Sequence, residues 1–149
     1  MNIFSKACVI VALPGILAAC DSYKSDTPTG AEEAAKDFTG TWMISKVIRN
    51  TIDITEALQD DIPDFKLHIN ADGTYTIENG MPFPVEEGGT WSADDPRHPF
   101  VLSFSEDGAV GSVDVEINFP IVGESRQLSI AHSSGCTSNT YTYLLERVN

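Results

Sequence analysis

From Phe38 onward the chain is built of short runs of β-branched and aromatic residues, cut every ten residues or so by turn-forming pairs. This pattern constrains the fold more than any other feature. Val113, Val115, Ile117 and Phe119 alternate with Asp114, Glu116 and Asn118, and Phe100, Leu102 and Phe104 alternate with Val101, Ser103 and Ser105. A period of two puts one face of each strand in a core and the other in water. Ala71-Asp72-Gly73, Asn79-Gly80, Asp94-Asp95-Pro96 and Asp107-Gly108 supply residues that tolerate positive φ or open tight turns. About eight strands are expected, over residues 40–49, 65–70, 74–78, 89–92, 100–105, 112–119, 126–131 and 140–147. Short turns without helical crossovers favour an antiparallel meander, closed as a sandwich or barrel. Eleven glycines and eight prolines exclude a helical bundle.

The first twenty residues follow a different rule. Lys6 ends a short polar start, and Ala7 to Ala19 form an almost wholly apolar run interrupted by Pro14-Gly15. As a helix this run reaches roughly 20 Å, against about 30 Å of hydrocarbon, so it does not span a bilayer. A charged start, a short apolar stretch and small residues before the cut describe a secretory signal over 1–19. Leu17-Ala18-Ala19-Cys20 resembles the lipobox of bacterial lipoproteins. That resemblance implies a diacylglycerol on the Cys20 thiol, cleavage ahead of it, and often a further acyl chain such as palmitate. The expected partner is thus the lipid bilayer, held through acylated Cys20, since several acyl chains anchor stably where one is marginal. Residues 20–37 form the lipidated cysteine and a flexible tether rich in Ser, Thr, Asp, Pro and Gly, with a short helix possible over Ala31–Lys36. The expected location is the cell envelope, the outer membrane ahead of the inner.

Cysteine usage agrees with this scheme. Cys8 leaves with the signal and Cys20 carries lipid, so Cys136 is left alone and no intramolecular disulfide is expected. A domain of residues 38–149 therefore depends on its hydrophobic core.

Gly40-Thr41-Trp42 opens the first long strand and resembles the Gly-X-Trp signature of lipocalins and related calycin barrels. The resemblance implies a barrel plug of Gly40, Trp42 and Arg147, in which Trp42 closes one barrel end and Arg147, a basic residue of the last strand, covers it. Arg49-Asn50, Asp53-Ile54-Thr55, Asp72-Gly73-Thr74-Tyr75-Thr76, a second Gly89-Thr90-Trp91, Cys136 and Thr140-Tyr141 complete the pattern. Across 38–149 the chain is similar to lipocalin-like lipoproteins of unknown function of the Bacteroidetes type. The fold this implies is an all-β, antiparallel, up-and-down lipocalin-like (calycin) barrel of about eight strands. The Thr-Asp-Tyr motif found midway along lipocalins is absent.

Acidic residues outnumber basic ones 22 to 9, a formal charge of −13. Loss of Lys6 with the signal takes one positive charge and makes it −14. Such a chain repels nucleic-acid backbone, so no nucleic-acid partner is expected. His132 and Cys136 form an H-x₃-C pair without further nearby ligands, and Ser133-Ser134-Gly135-Cys136 lacks the G-x-S-x-G elbow. Asp60, Asp61 and Asp64 lack calcium-loop spacing, and Glu86-Glu87 and Asp94-Asp95 fall in loops. No catalytic residue, metal or cofactor is expected, and the chain is read as a non-enzyme and a monomer.

Aromatic side chains are the remaining candidates for binding. Tyr75, Phe83, Trp91, Tyr141 and Tyr143 could stack on a sugar or line an apolar pocket, although core filling accounts for such residues in a barrel this size. Met81-Pro82-Phe83-Pro84 is an apolar, proline-stiffened loop suited to covering a barrel end. The expected role is a binding module for a small apolar ligand or a glycan. The alternative is a structural accessory with a filled barrel that binds another envelope protein through its surface, and a hydrolase comes last.

Overall fold

The computed structural model describes residues 33–81, 83–123, 125–133, 135 and 138–148. Its compact unit covers Ala34–Asn149. Ten strands follow in order: β1 Gly40–Arg49, β2 Ile52–Asp53, β3 Lys66–Ile69, β4 Thr74–Glu78, β5 Gly89–Ala93, β6 Val101–Glu106, β7 Val113–Asn118, β8 Ile121–Val122, β9 Ser125–Ser133 and β10 Thr140–Val148. Eight of them close an antiparallel barrel in the order β10-β1-β3-β4-β5-β6-β7-β9, with β9 pairing back onto β10. The two-residue strands β2 and β8 lie off this ring, each paired to a single neighbour. Each of the eight expected strands has its counterpart, with ends displaced by one or two residues.

Closure is explained by the alternation. Leu67 and Ile69 of β3, Leu102 and Phe104 of β6, Val115 and Ile117 of β7, Leu128 and Ile130 of β9, and Tyr143 and Leu145 of β10 all point inward and are buried. A closed ring leaves no long edge strand to template aggregation. Strand β1 departs from strict period two. Trp42 and Ile44 are buried, then the register slips between Ile44 and Lys46, and Val47 rather than Lys46 faces the core. Ser45 is the extra residue, and its hydroxyl donates to the Leu144 carbonyl across the bulge. Without this slip the Lys46 ammonium would point into hydrocarbon; instead it meets the Asp53 carboxylate at 3.0 Å.

The short helix considered for Ala31–Lys36 does not form over its described residues, which have no regular secondary structure. A six-residue helix has too few internal hydrogen bonds to offset nucleation. The Lys36 amide donates instead to the Pro96 carbonyl at 2.7 Å. Among the described residues helical geometry is confined to two 3-10 turns, Glu56–Leu58 and Ile62–Asp64, in the connection from β2 to β3.

Candidate functional site

The two barrel ends differ in construction. At one end, where β1 begins, Trp42 is fully buried and its indole Nε1 donates to the Phe38 carbonyl at 2.8 Å. The Arg147 guanidinium lies 4.9 Å from the centre of the Trp42 ring, within cation–π range. Its Nη2 donates to the Asp37 carbonyl at 2.6 Å and its Nη1 reaches the Asp37 carboxylate at 3.3 Å. Gly40 makes room: its φ of +128° suits glycine, and a Cβ there would touch the Arg147 side chain at 3.4 Å. Phe38 and Phe119 pack beside the plug, with ring centres 4.7 Å apart. The alternation places Phe119 on the apolar face of its strand, but nothing local marks Phe38, just before β1, as its partner.

Of the aromatic candidates, Trp91 belongs to this plugged end. It is partly buried, packs edge-on against Phe38 and donates its Nε1 to the Asn70 carbonyl at 3.1 Å. Tyr75, Phe83 and Tyr143 are buried in the core. Phe83 sits between Phe65 and Tyr143, with ring centres at 5.0 and 5.1 Å, and Tyr75 meets Phe104 edge-on at 5.0 Å. Met81, Phe83 and Val85 all enter the same core, so the segment following β4 fills the far part of the barrel with the chain's own side chains. Burial pushes the Tyr75 phenol up to about 12, helped by the nearby Glu106 and Asp107 charges. Burial likewise pushes Tyr143 up to about 12, and Tyr141 adds to it. Both phenols stay protonated and neutral. Tyr141 is partly buried beside Tyr143, with Arg49 over its ring at 5.7 Å.

Concave space lies at the rim around the end of β1. An open groove of about 640 Å³ is lined by Asp53, Thr55, Glu56, Gln59, Ile62 and Pro63. Its wall is the β2–β3 connection, and Ile54, Leu58 and Ile62 pin that connection to the core. Thr55 fixes the local geometry. Its amide and hydroxyl both donate to one Asp53 carboxylate oxygen, at 3.0 and 2.6 Å, and its hydroxyl accepts the Val47 amide at 3.0 Å. These Thr55 hydrogen bonds, and then the Lys46 ammonium, hold the Asp53 carboxyl down at about 2. Asp53 is therefore an anion engaged in structure, while Glu56 and Gln59 expose their polar ends to the groove. Ile62 and Pro63 add an apolar floor. Sequence reasoning quoted Asp53-Ile54-Thr55 as a pattern but missed the groove residues, because which loops rim the same hollow depends on barrel closure.

Two smaller hollows hold the other polar candidates. Strands β7 and β9 pair only from Glu116 to Asn118. Beyond that, Asp114, Glu116, Ala131, His132, Ser133 and Thr140 line a cleft of about 440 Å³. Asp60, Asp61 and Asp64 share a pocket of about 180 Å³ with Asn79 and Gly80. Among the described residues no group of three His, Cys, Asp or Glu side chains is placed to hold a metal ion. The carboxyls with displaced titrations, among them Glu78, Asp94, Asp95 and Glu106, are all held low. Lys66 and then His68 act on Glu78, and backbone amides act on the other three. Cys20 and Cys136 lie outside the described residues.

A sequence profile described as "Domain of unknown function (DUF5004)" matches residues 18–146. No curated protein and no solved structure matches the chain.

Proposed function

The chain belongs to the DUF5004 family, and from that footing we propose that it is a lipid-anchored, extracytoplasmic binding module that takes a glycan at the barrel rim. The observation that carries this reading is the 640 Å³ groove over Asp53–Pro63. Its size falls in the range of small-ligand sites, about 300 to 1,000 Å³. Its lining pairs hydrogen-bonding groups on Glu56 and Gln59 with the apolar Ile62 and Pro63, as a sugar's hydroxyls and ring face require. A small apolar ligand inside the barrel is disfavoured, since Tyr75, Phe83 and Tyr143 occupy that space.

Binding is preferred to hydrolysis, because a glycosidase acid has a carboxyl whose titration is raised, and among the described carboxyls with a displaced titration none is raised. Anchoring rests on the lipobox-like Leu17-Ala18-Ala19-Cys20, and places the domain in the cell envelope, at the outer membrane in preference to the inner. A surface-binding accessory is the second reading, favoured by the same filled interior.

The test is titration of the full chain with a panel of neutral and basic oligosaccharides, followed by amide chemical shifts. Shifts confined to residues 53–63, and affinity lowered about tenfold by Gln59→Ala combined with Ile62→Ala, are expected. Shifts centred on Tyr75 and Tyr143, or none at all, overturn the glycan reading.

A further inference from the structure

The plugged end of the barrel also carries a surface that the binding role does not use. Six large apolar side chains stand out from the described surface, and four of them, Phe100, Ile121, Val122 and Val148, cluster by topology at this end. Phe100 immediately precedes β6 and is 70% exposed, with its carbonyl accepting the Ile117 amide. Ile121 and Val122 are 63% and 48% exposed and form β8, which pairs with Arg126 and Ser125 of β9 beyond the last pair of β9 with β10, Gln127 with Glu146. The hairpin begins just after Phe119, which packs on Phe38, and Lys36 is bonded to Pro96 in the loop leading to Phe100. The chain therefore enters its barrel between the two apolar projections.

Charge is divided along the same axis. Of the seven Lys and Arg after residue 33, four, Lys36, Arg97, Arg126 and Arg147, lie at this end, beside the carboxylates Asp37, Asp72, Asp94 and Asp95. The opposite end carries Asp60, Asp61, Asp64, Glu86, Glu87 and Glu106 among its turns. A strongly acidic domain thus carries charges of both signs, together with apolar side chains, at the end from which its tether leaves. A membrane surface with anionic lipid repels the acidic end more strongly than this one.

We infer that this barrel end rests on the lipid bilayer, with Phe100 and the Ile121–Val122 hairpin tip in the interface and the rim groove facing away. The inference rests on the anchoring proposed above. Lys36 and Asp37 are bonded to this end, so residues 21–35 set the reach: fully extended at about 3.5 Å each, they hold it within about 50 Å of an acylated Cys20. Within that distance a few apolar side chains suffice for contact, because the second binding event is intramolecular.

The experiment places single tryptophans in the full chain, Phe100→Trp, Ile121→Trp and, at the opposite end, Val110→Trp. The signal of each is read against the parent chain on vesicles of phosphatidylcholine and phosphatidylglycerol, with and without brominated phosphatidylcholine. Quenching of Phe100→Trp and Ile121→Trp roughly twofold above that of Val110→Trp is expected for side chains buried about 5–10 Å into the interface. Equal quenching at all three positions overturns the inference, as does cross-linking of Ile121 to a second protein without quenching. A parallel set carries Cys20→Ala and is held on vesicles by an N-terminal oligohistidine tag and a nickel-chelating lipid. Failure of natural acylation then appears as membrane association in cells that Cys20→Ala leaves unchanged. Failure of the end contact appears as uniform quenching in the artificially tethered set.

Discussion

Trp42 heads the fully buried side chains by volume, and its one polar atom is satisfied by the Phe38 carbonyl. Replacing it with Ala removes a large apolar surface, leaves a cavity the ring of strands cannot collapse, and strips Arg147 of its aromatic partner. A loss of about 3–5 kcal/mol is expected in urea unfolding. Asp53 contributes differently, through charge at the surface. Its folded-state titration at about 2 lies below the ordinary 3.8. A depressed carboxyl stabilises the fold above its unfolded value and loses that contribution as pH falls through the folded one. The window is therefore pH 4 down to 2. Thr55→Val removes the hydroxyl that is the largest cause, so the Asp53 carboxyl resonance should titrate closer to 3.8 and the stability lost across that window should shrink.

Three elements share one local device that spacing alone reveals. In Asp37-Phe38-Thr39, Asp53-Ile54-Thr55 and Asp72-Gly73-Thr74, the threonine amide and hydroxyl both donate to the aspartate two residues earlier. Such a side chain offers the backbone a turn before regular structure resumes. The two Gly-Thr-Trp tripeptides are instead alike in letters and different in cause. Gly40 is set by its φ, while Gly89 is set by close approach, since a Cβ there would fall 1.9 Å from the Ser105 carbonyl oxygen. Gly89→Ala should therefore force β5 from β6 and cost about 3 kcal/mol or more, beyond what most point substitutions do. Gly80→Ala, where a Cβ would meet nothing within 4 Å, should leave the melting temperature nearly unchanged. Thermal unfolding of the pair, with amide exchange along β5 and β6, checks both. Element positions were legible because alternation and turn residues are local signals. The Ser45 bulge was not, since its slip shows only when β1 is laid against β10.

For the whole molecule, acylation of Cys20 is expected to decide partition. In cells, Cys20→Ala should move the protein from the membrane pellet to the soluble envelope fraction after a detergent-free wash, and retention in the pellet would refute the anchor. The domain's own net charge works against adhesion to anionic lipid. Its aromatic candidates illustrate the limit of pattern reading: Tyr75, Phe83 and Tyr143 have the chemistry of a binding site, yet a barrel this small needs them as filling. The amino-acid order by itself determined the eight barrel strands and the turns between them, because each depends on neighbours within a few residues. Only the tertiary structure decided that β9 closes on β10, that Met81, Phe83 and Val85 fill the interior, and that loops far apart in the chain share a groove or an apolar end. Those outcomes depend on which surfaces meet when the sheet curls shut, and no local pattern encodes that meeting.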